Sequence, residues 1–151
     1  MKTILVPVDY SNSTPRLITL ARELCAAFAG RVILLHVAES EQPSTEIMPG
    51  LAAPGSTPFS IAVPRDLERE QQDLEKLKEQ FTDPAIEVTT LVAEGTTVGT
   101  ILDEMERQKA DLVVIGSHGH GALYDLVLGS VTSGVLKAAR CPVLVVPSPR
   151  E

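Results

Sequence analysis

Aromatic residues are scarce in this chain of 151 residues, which has no tryptophan, two tyrosines and three phenylalanines. Valine, leucine, isoleucine and alanine must therefore fill the interior, within an apolar share of 44% that is ordinary for a globular protein. An aliphatic interior of this kind favours parallel strands covered by helices.

Cysteine and long apolar runs are nearly absent as well. Cys25 and Cys141 have neither CxxC nor metal-ligand spacing, so we expect two reduced thiols. The first apolar run, Thr3–Val8, is short and interrupted by Pro7, and no run nears the ~18 apolar residues of a membrane span. The sequence predicts no signal peptide, no membrane partner and a cytoplasmic location.

Positive charge is in short supply, since 13 lysines and arginines face 20 aspartates and glutamates, for a formal net charge of −7. This balance disfavours partners that are bound by neutralising a phosphate backbone or an anionic membrane. We therefore predict no nucleic-acid and no lipid binding.

Five runs rich in valine, leucine and isoleucine alternate with segments of helical period, over a length that suits one domain spanning residues 1–151. The predicted strands are Thr3–Val8, Arg31–Val37, Ile86–Val92, Asp111–Gly116 and Pro142–Pro147. Four helices are predicted from apolar residues at helical spacing. The first begins at a Thr14 cap followed by Pro15, ends at Gly30 and has its apolar positions at Leu17, Ala21, Leu24, Cys25 and Phe28. The apolar positions of the other three are Leu67, Leu74, Leu77 and Phe81; Val98, Ile101, Leu102 and Met105; and, after Ser130, Val131, Val135, Leu136 and Ala139. The alternation predicts an α/β fold, a doubly wound parallel sheet with helices on both faces.

One stretch fits no element, because residues 38–64 contain five prolines and two glycines. Loops of this length inside a compact domain are usually lids, binding loops or disordered insertions. The polar, proline-rich composition offers little to pack, so we expect a flexible loop insertion, with a lid as the alternative.

A glycine-rich segment follows the fourth predicted strand. It reads Gly116-Ser117-His118-Gly119-His120-Gly121, and Gly129-Ser130 then opens the last helix. Glycines let a backbone approach a ligand closely, and the amides and hydroxyls at a helix start bind anions. Phosphate is therefore the expected ligand. No lysine or arginine lies between residues 116 and 134, so we expect Mg²⁺ to accompany a polyphosphate.

Better-known phosphate sites are excluded. The motif GxxxxGK[ST] is absent, and Gly119-x-Gly121 lacks the third glycine of GxGxxG. A receiver domain would need further acids after the first strand and an aspartate at the end of the third, where Leu91-Val92-Ala93 stands.

The spacing Gly116-x2-Gly119-x9-Gly129-Ser130 resembles the nucleotide-binding signature of the ATP-binding universal stress proteins. The resemblance extends over nearly the whole chain through Thr3–Asp9, Leu35-His36-Val37, Gly95, Asp111–Gly116 and Cys141–Pro147. It implies an adenine nucleotide alpha hydrolase-like fold with strand order 3-2-1-4-5. It also implies that ATP, ADP or AMP lies between the loops after the first and fourth strands.

The resemblance further implies a role for each matching position. Pro7, Val8 and Asp9 would flank the adenosine, and Val37 would bind adenine through its backbone. Ile115, Gly116, His118 and Gly119 would line the ribose and phosphate side, and Gly129, Ser130, Val131 and Thr132 would grip the phosphates. The last strand, Val143, Leu144, Val145 and Val146, would join a homodimer by antiparallel pairing if it lies at the sheet edge.

Individual polar residues have alternative interpretations. Asp9 could serve a ribose, an amine or Mg²⁺, or could cap the turn after the first strand. His118 and His120 lack the third and fourth ligands that zinc normally takes, so we expect no metal site made by histidines. His36, inside an apolar strand, is expected to bond to backbone, and no nucleophile-and-base motif marks a catalytic residue.

We therefore expect a stress-response regulatory protein that binds an adenine nucleotide and acts on an unidentified protein partner. Two alternatives stay open. One is a slow ATPase or phosphotransferase that uses the same site, and the other is an α/β interaction module that binds no nucleotide.

Overall fold

The computed structural model describes residues 2–39, 66–118 and 128–149, in which five strands alternate with four helices. The elements are β1 (Thr3–Pro7), α1 (Thr14–Phe28), β2 (Arg31–Ala38), α2 (Leu67–Lys78), β3 (Glu87–Glu94), α3 (Thr97–Arg107), β4 (Leu112–Gly116), α4 (Ser130–Ala138) and β5 (Val143–Val146). Nearly all of the predicted loop insertion, from residue 40 onward, lies outside the described residues, as do Gly119, His120 and Gly121.

The sheet is parallel throughout, and its order β3-β2-β1-β4-β5 confirms the predicted fold. Strand β1 is central: Thr3 pairs with Arg31 of β2 on one side, and Ile4 pairs with Leu112 of β4 on the other. The direction of winding reverses between β1 and β4. The loops that leave these two strands therefore diverge and open a crevice at the carboxyl ends of the strands.

Two apolar layers cover the sheet, one on each face. Successive side chains of β1 point to opposite faces, so Ile4 and Val6 lie in one layer and Leu5 in the other. The first layer is completed chiefly by Leu17, Ile18, Ala21 and Cys25 of α1 and Leu74 of α2, and the second by Ile101 and Met105 of α3 and Val135 of α4. Burial on both faces explains why the strands read as nearly continuous apolar runs.

Polar contacts hold together the amino-terminal ends of three strands. Asp111, just before β4, accepts hydrogen bonds from the Thr3 amide (N···Oδ2 2.9 Å) and the Lys2 ammonium (Nζ···Oδ1 3.2 Å). Arg31 of β2 donates from Nε to the Thr3 hydroxyl at 3.0 Å. The hydrogen bond from the Thr3 amide, followed by that from Lys2, lowers the pKa of the Asp111 carboxyl. We call these four residues the amino-end clamp.

The start of α1 differs from the prediction by one residue. The N-cap is Ser13, Thr14 is the first helical residue and Pro15 the second. The Ser13 side chain does not cap the helix, because its hydroxyl pairs with that of Ser11 at 2.8 Å and donates to the His118 carbonyl at 3.5 Å. The predicted cap, Thr14, was wrong by one residue, because serine and threonine are both favoured at an N-cap and the two stand side by side here.

The end of α1 also departs from the predicted pattern. Ala29, and not glycine, takes the left-handed conformation (φ 46°, ψ 51°), and the amides of Ala29 and Gly30 both bond to the Cys25 carbonyl. Gly30 is needed for close approach, since a Cβ there would lie 2.8 Å from the Lys2 carbonyl oxygen. Phe28, predicted on the buried stripe, is 57% exposed because the buried stripe ends one turn earlier, at Cys25.

Other bounds differ by only a few residues. Helix α2 ends at Lys78, so Phe81 packs on the core from beyond the helix. Strand β3 continues to Glu94 because it stays paired with β2 as far as Ala38, whatever the polarity of its side chains. Within residues 2–39, 66–118 and 128–149, no helix has the length and apolar character to cross a membrane.

Candidate functional site

The end of β1 forms one wall of the crevice. The Val8 amide donates to the Leu35 carbonyl at 2.8 Å, which continues the pairing with β2 past the last residue of the strand. The chain then turns at Asp9, whose Oδ1 accepts the Ser11 amide at 3.0 Å. Asp9 thus has the predicted turn role and still faces the crevice.

His36 of β2 braces this wall from behind. Its Nδ1 lies 3.0 Å from the Val8 carbonyl oxygen, its Nε2 lies 3.9 Å from a Glu70 carboxylate oxygen of α2, and its ring centroid lies 4.9 Å from that of Tyr10. The expectation that His36 bonds to backbone is confirmed. His36 lines the crevice, but its Nδ1 is hydrogen-bonded to the Val8 carbonyl and so holds the loop after β1.

Tyr10 keeps its proton in this arrangement. Burial, and then the negative charges of Asp73 and Glu70, raise its pKa to about 12. The phenol therefore stays a hydrogen-bond donor and reaches the Glu70 carbonyl oxygen of α2 at 3.3 Å. Tyr10 accordingly joins the loop after β1 to α2.

The ends of β2 and β3 form the opposite rim. The Gly95 amide donates to the Ala38 carbonyl at 3.2 Å, and Gly95 has a φ of 146°, a conformation that favours glycine. Helix α3 begins directly afterwards, and the Thr97 hydroxyl hydrogen-bonds to the Glu39 carboxylate. Glu39 and Thr97 thereby bring an acidic side chain to the rim beside Val37.

The end of β4 is packed against α1 and α4. A Cβ on Gly116 would lie 2.9 Å from the Ser13 hydroxyl, so glycine permits this close approach. The buried Thr132 hydroxyl donates to the Gly116 carbonyl at 2.6 Å. This bond attaches the first turn of α4 to the end of the central sheet.

The start of α4 presents main-chain donors. Gly129 is its N-cap residue, and the first helical bond runs from the Ser133 amide to the Gly129 carbonyl at 2.9 Å. The preceding amides of Ser130, Val131 and Thr132 have no acceptor within the helix. With the positive end of the helix dipole, they form an arrangement suited to an anion.

These elements enclose a cleft of about 570 Å³. Eleven of the twelve predicted site residues line it: Pro7, Val8, Asp9, Val37, Ile115, Gly116, His118, Gly129, Ser130, Val131 and Thr132. The twelfth, Gly119, lies outside the described residues. The structure thus brings together positions that are far apart in the chain, and their contacts with a ligand remain a prediction.

The cleft also contains residues that the sequence did not indicate: Ser13, Leu17, Leu35, His36, Glu39, Thr97 and Ile101. His36 and Glu39 could have been found, because they lie within two residues of Val37, at a strand end that the resemblance already implicated. Thr97 could not, since nothing in a sequence links the start of α3 to the end of β2. Among the described residues, no group of three or more His, Cys, Asp or Glu side chains could hold a metal ion.

Neither cysteine belongs to the cleft. Cys25 is buried in the core and Cys141 is partly buried, and both are free thiols. Burial is the main cause that raises the pKa of each thiol, so both are less ionised than an ordinary cysteine. Two free thiols agree with the expectation of two reduced cysteines.

A comparison with protein families decides the classification. The sequence model of the universal stress protein family matches residues 1–147. The chain belongs to the universal stress protein family.

Curated relatives in this family match almost the whole chain. Universal stress protein MJ0531 of Methanocaldococcus jannaschii is 29% identical over 99% of this chain and 84% of its own length. Universal stress protein Sll1654 of Synechocystis is 32% identical over 97% of this chain and 85% of its own length.

Solved structures show the same fold. The structure of MJ0577 from M. jannaschii superposes with a TM-score of 0.77 at 26% identity, over 99% of this chain and 98% of that one. Two more distant universal stress proteins were solved as nucleotide complexes. One was solved with cAMP; it is 20% identical, with a TM-score of 0.66 over 98% of both chains. The other, from Archaeoglobus fulgidus, was solved with dAMP; it is 19% identical, with a TM-score of 0.67 over 96% of this chain and 97% of that one.

Proposed function

We propose that this universal stress protein binds an adenine nucleotide in the cleft and acts as a regulatory binding module. The observation that carries the proposal is the start of α4, whose first-turn amides open onto a cleft bounded by the ends of β1, β2 and β4. Family members that hold cAMP or dAMP support an adenine ligand. At 19–20% identity they share the fold with this chain, so the argument depends on its own residues.

The nucleoside end of the proposed site is the apolar part of the cleft. Pro7, Val8 and Ile101 offer surface for a base, and the Val37 backbone offers hydrogen bonds at the end of β2. Ligand pockets of several hundred Å³ with a few convergent polar groups are the usual form of a small-molecule site. Asp9, at the turn after β1, would accept a hydrogen bond from a ribose hydroxyl.

The phosphate end would be the start of α4. The amides of Ser130, Val131 and Thr132 supply donors, and residues 116–134 supply no lysine or arginine. Because the described side chains form no metal-binding cluster, Mg²⁺ would be held mainly by the phosphate oxygens themselves. It would supply the positive charge that the protein lacks here.

Mg²⁺ dependence is a first prediction. Removal of Mg²⁺ with EDTA should weaken ATP binding by about ten-fold or more and leave AMP binding almost unchanged, since only ATP carries a chelating polyphosphate. Isothermal titration of both nucleotides with and without EDTA measures the difference. Equal ATP affinities under the two conditions would contradict the role assigned to the metal.

The proposed function is tested by the ligand that the protein carries when purified. Protein prepared without added nucleotide is denatured, and the released small molecules are identified by mass spectrometry. Gly129→Val is compared with wild type, because the backbone there (φ −57°, ψ 155°) suits valine and the added side chain would stand beside the amides proposed to receive phosphate. Ala27→Val, on the exposed side of α1, is the matched control.

Near-stoichiometric ATP, ADP or AMP from wild type and the control, and little from Gly129→Val, is the expected result. If no nucleotide is released and added ATP with Mg²⁺ does not bind, the nucleotide proposal is wrong and the α/β interaction module takes its place. Steady ATP turnover in wild type and not in Gly129→Val would favour the slow ATPase instead.

A further inference from the structure

Ser117, the residue after β4, occupies a junction that the proposed binding site does not use directly. It is 9% exposed, and it does not line the cleft. Its main chain and hydroxyl are nevertheless bonded to four different residues. Two of these belong to the phosphate end of the cleft and two to the end of β5 and the segment after it.

On the cleft side, Ser117 holds the start of α4 and the histidine of the glycine-rich segment. Its carbonyl accepts the Gly129 amide at 2.8 Å, and Gly129 is the N-cap of the helix whose amides would receive phosphate. Its hydroxyl lies 3.0 Å from Nδ1 of His118, which lines the cleft. The position of both groups therefore depends on Ser117.

On the opposite side, Ser117 is tied to the carboxyl end of the last strand. Its amide donates to the Val146 carbonyl at 2.8 Å, and its hydroxyl accepts the Ser148 amide at 3.1 Å. Val146 ends β5, and Ser148 lies between two prolines that have no amide of their own. The Ser148 amide is thus the only main-chain donor of residues 147–149, and it is bonded to Ser117.

The hydroxyl of Ser117 joins the two sides. When it accepts the Ser148 amide through one lone pair, its proton is directed to Nδ1 of His118, or it accepts a proton from that nitrogen. In either case the His118 imidazole is oriented by the Ser117 hydroxyl, which the Ser148 amide holds in place. The hydroxyl oxygen thus adds a side-chain link between His118 and Ser148 to the main-chain bonds that Ser117 makes with Gly129 and Val146.

We propose that Ser117 is a positioning residue that couples phosphate binding at the start of α4 to the order of the segment after β5. The inference rests on the proposed nucleotide site. A bound phosphate fixes Gly129 and His118, these fix Ser117, and Ser117 holds Ser148. None of the four hydrogen bonds of Ser117 reaches Pro7, Val8, Val37 or Ile101, where the base would lie, so we expect adenosine not to engage this route.

The experiment compares ligands and variants by titration. Ser117→Ala removes the hydroxyl, and Ser117→Thr keeps one. Ser148→Pro removes the same hydrogen bond from its other end, and Ser148→Ala, which keeps the amide, is the matched control. We expect Ser117→Ala and Ser148→Pro to lower the affinity for ATP with Mg²⁺ about five- to ten-fold and to leave adenosine affinity unchanged. Ser117→Thr and Ser148→Ala should bind as wild type does.

Amide exchange supplies a second readout. In wild type the Ser148 amide, followed by nuclear magnetic resonance, should exchange more slowly with ATP than with adenosine. In Ser117→Ala the two ligands should give the same rate. This difference between ligands is not expected from a serine that only stabilises the fold, since loss of stability affects adenosine and ATP alike.

The outcomes separate the two proposals. The coupling alone is overturned if wild type binds ATP and neither Ser117→Ala nor Ser148→Pro changes the ratio of ATP affinity to adenosine affinity. Wild type that binds neither ligand overturns the nucleotide site and the coupling with it. If Ser117→Ala fails to fold, Ser148→Pro and the Ser148 exchange in wild type still decide the question.

Discussion

At the level of single residues, Ala29 has a backbone conformation that is usually occupied by glycine. Its φ of 46° lies in the left-handed region, which costs a residue with a Cβ roughly 1–2 kcal/mol. The fold retains it because two amides close the end of α1 on the Cys25 carbonyl at this turn. Glycine is the common residue at such a position.

Ala29→Gly should therefore stabilise the protein by about 0.5–1 kcal/mol, after the greater chain entropy of glycine is subtracted. Urea unfolding followed by circular dichroism measures the change. Gly30→Ala is the opposing control and should destabilise, because its Cβ would lie 2.8 Å from the Lys2 carbonyl oxygen. Equal or lower stability of Ala29→Gly would contradict this account of the turn.

Asp9 allows its two roles to be separated. Asn at this position keeps an oxygen for the Ser11 amide and loses the negative charge. If Asp9 also bonds to a ribose hydroxyl, Asp9→Asn should weaken nucleotide binding about ten-fold through loss of a charge-assisted hydrogen bond, without lowering the melting temperature. Calorimetric titration and a thermal melt test this together, and unchanged affinity would remove Asp9 from the site.

The residues that line the cleft were largely named by the resemblance to universal stress proteins, which a spaced glycine motif reveals. In the resembled signature, the spacing between Gly116 and Gly129 marks both ends of the segment that we propose binds phosphate. Thr97 was missed because its contact with Glu39 joins the start of α3 to the end of β2, and a threonine is not unusual at a helix start. Ser117 was quoted within the motif, but only the structure reveals its bonds to Val146 and Ser148.

At the level of elements, the start of β4 should contribute stability that depends on pH. The pKa of Asp111 is lowered from 3.8 by the Thr3 amide and then by Lys2. A carboxyl with a lowered pKa stabilises the folded state above its ordinary pKa, and the contribution is lost as the pH falls through the lowered value. The amino-end clamp should therefore hold at neutral pH and loosen in acid.

Asp111→Asn should lower the urea midpoint at neutral pH, and the difference from wild type should shrink as the pH drops below 3.8. Asn can still accept the Thr3 amide, so the comparison isolates the charge. Asp103→Asn, at an exposed position of α3, is the matched control and should show a much smaller effect. A difference that stays constant with pH would show that the Asp111 charge does not act through the clamp.

Element boundaries were predicted less well than element types. Alternating apolar runs were enough for every strand and helix, because burial on both faces of the sheet requires them. The start of α1 was misplaced because Ser13 and Thr14 are both favoured N-cap types, and its buried stripe was drawn too long because Phe28 lies beyond it. Helical period defines a face and does not say where the sheet beneath it stops.

At the level of the whole molecule, the position of β5 bears on assembly. It pairs with β4 alone in the described sheet and so lies at the edge, the condition under which the sequence predicts a homodimer. Leu144, in the middle of this strand, is 37% exposed. We propose that two copies pair through this edge.

Leu144→Glu should then convert the dimer into a monomer, because the carboxylate would be buried in the interface between the two copies. Light scattering at micromolar concentration reports the mass. Leu67→Glu, equally exposed at 37% but on α2, is the control and should remain dimeric. A monomeric wild type, or a dimeric Leu144→Glu variant, would contradict pairing through this edge.

The amino-end clamp and the cleft lie at opposite ends of the same strands. Lys2, Thr3, Arg31 and Asp111 occupy the end where the strands begin, and the proposed ligand meets only the end where they finish. The two ends are separated by the length of β1, so exchanging side chains on the rim leaves the anchoring contacts intact. Glu39 and Thr97 are therefore suitable positions for substitutions that change ligand preference, because the contacts of the amino-end clamp do not involve them.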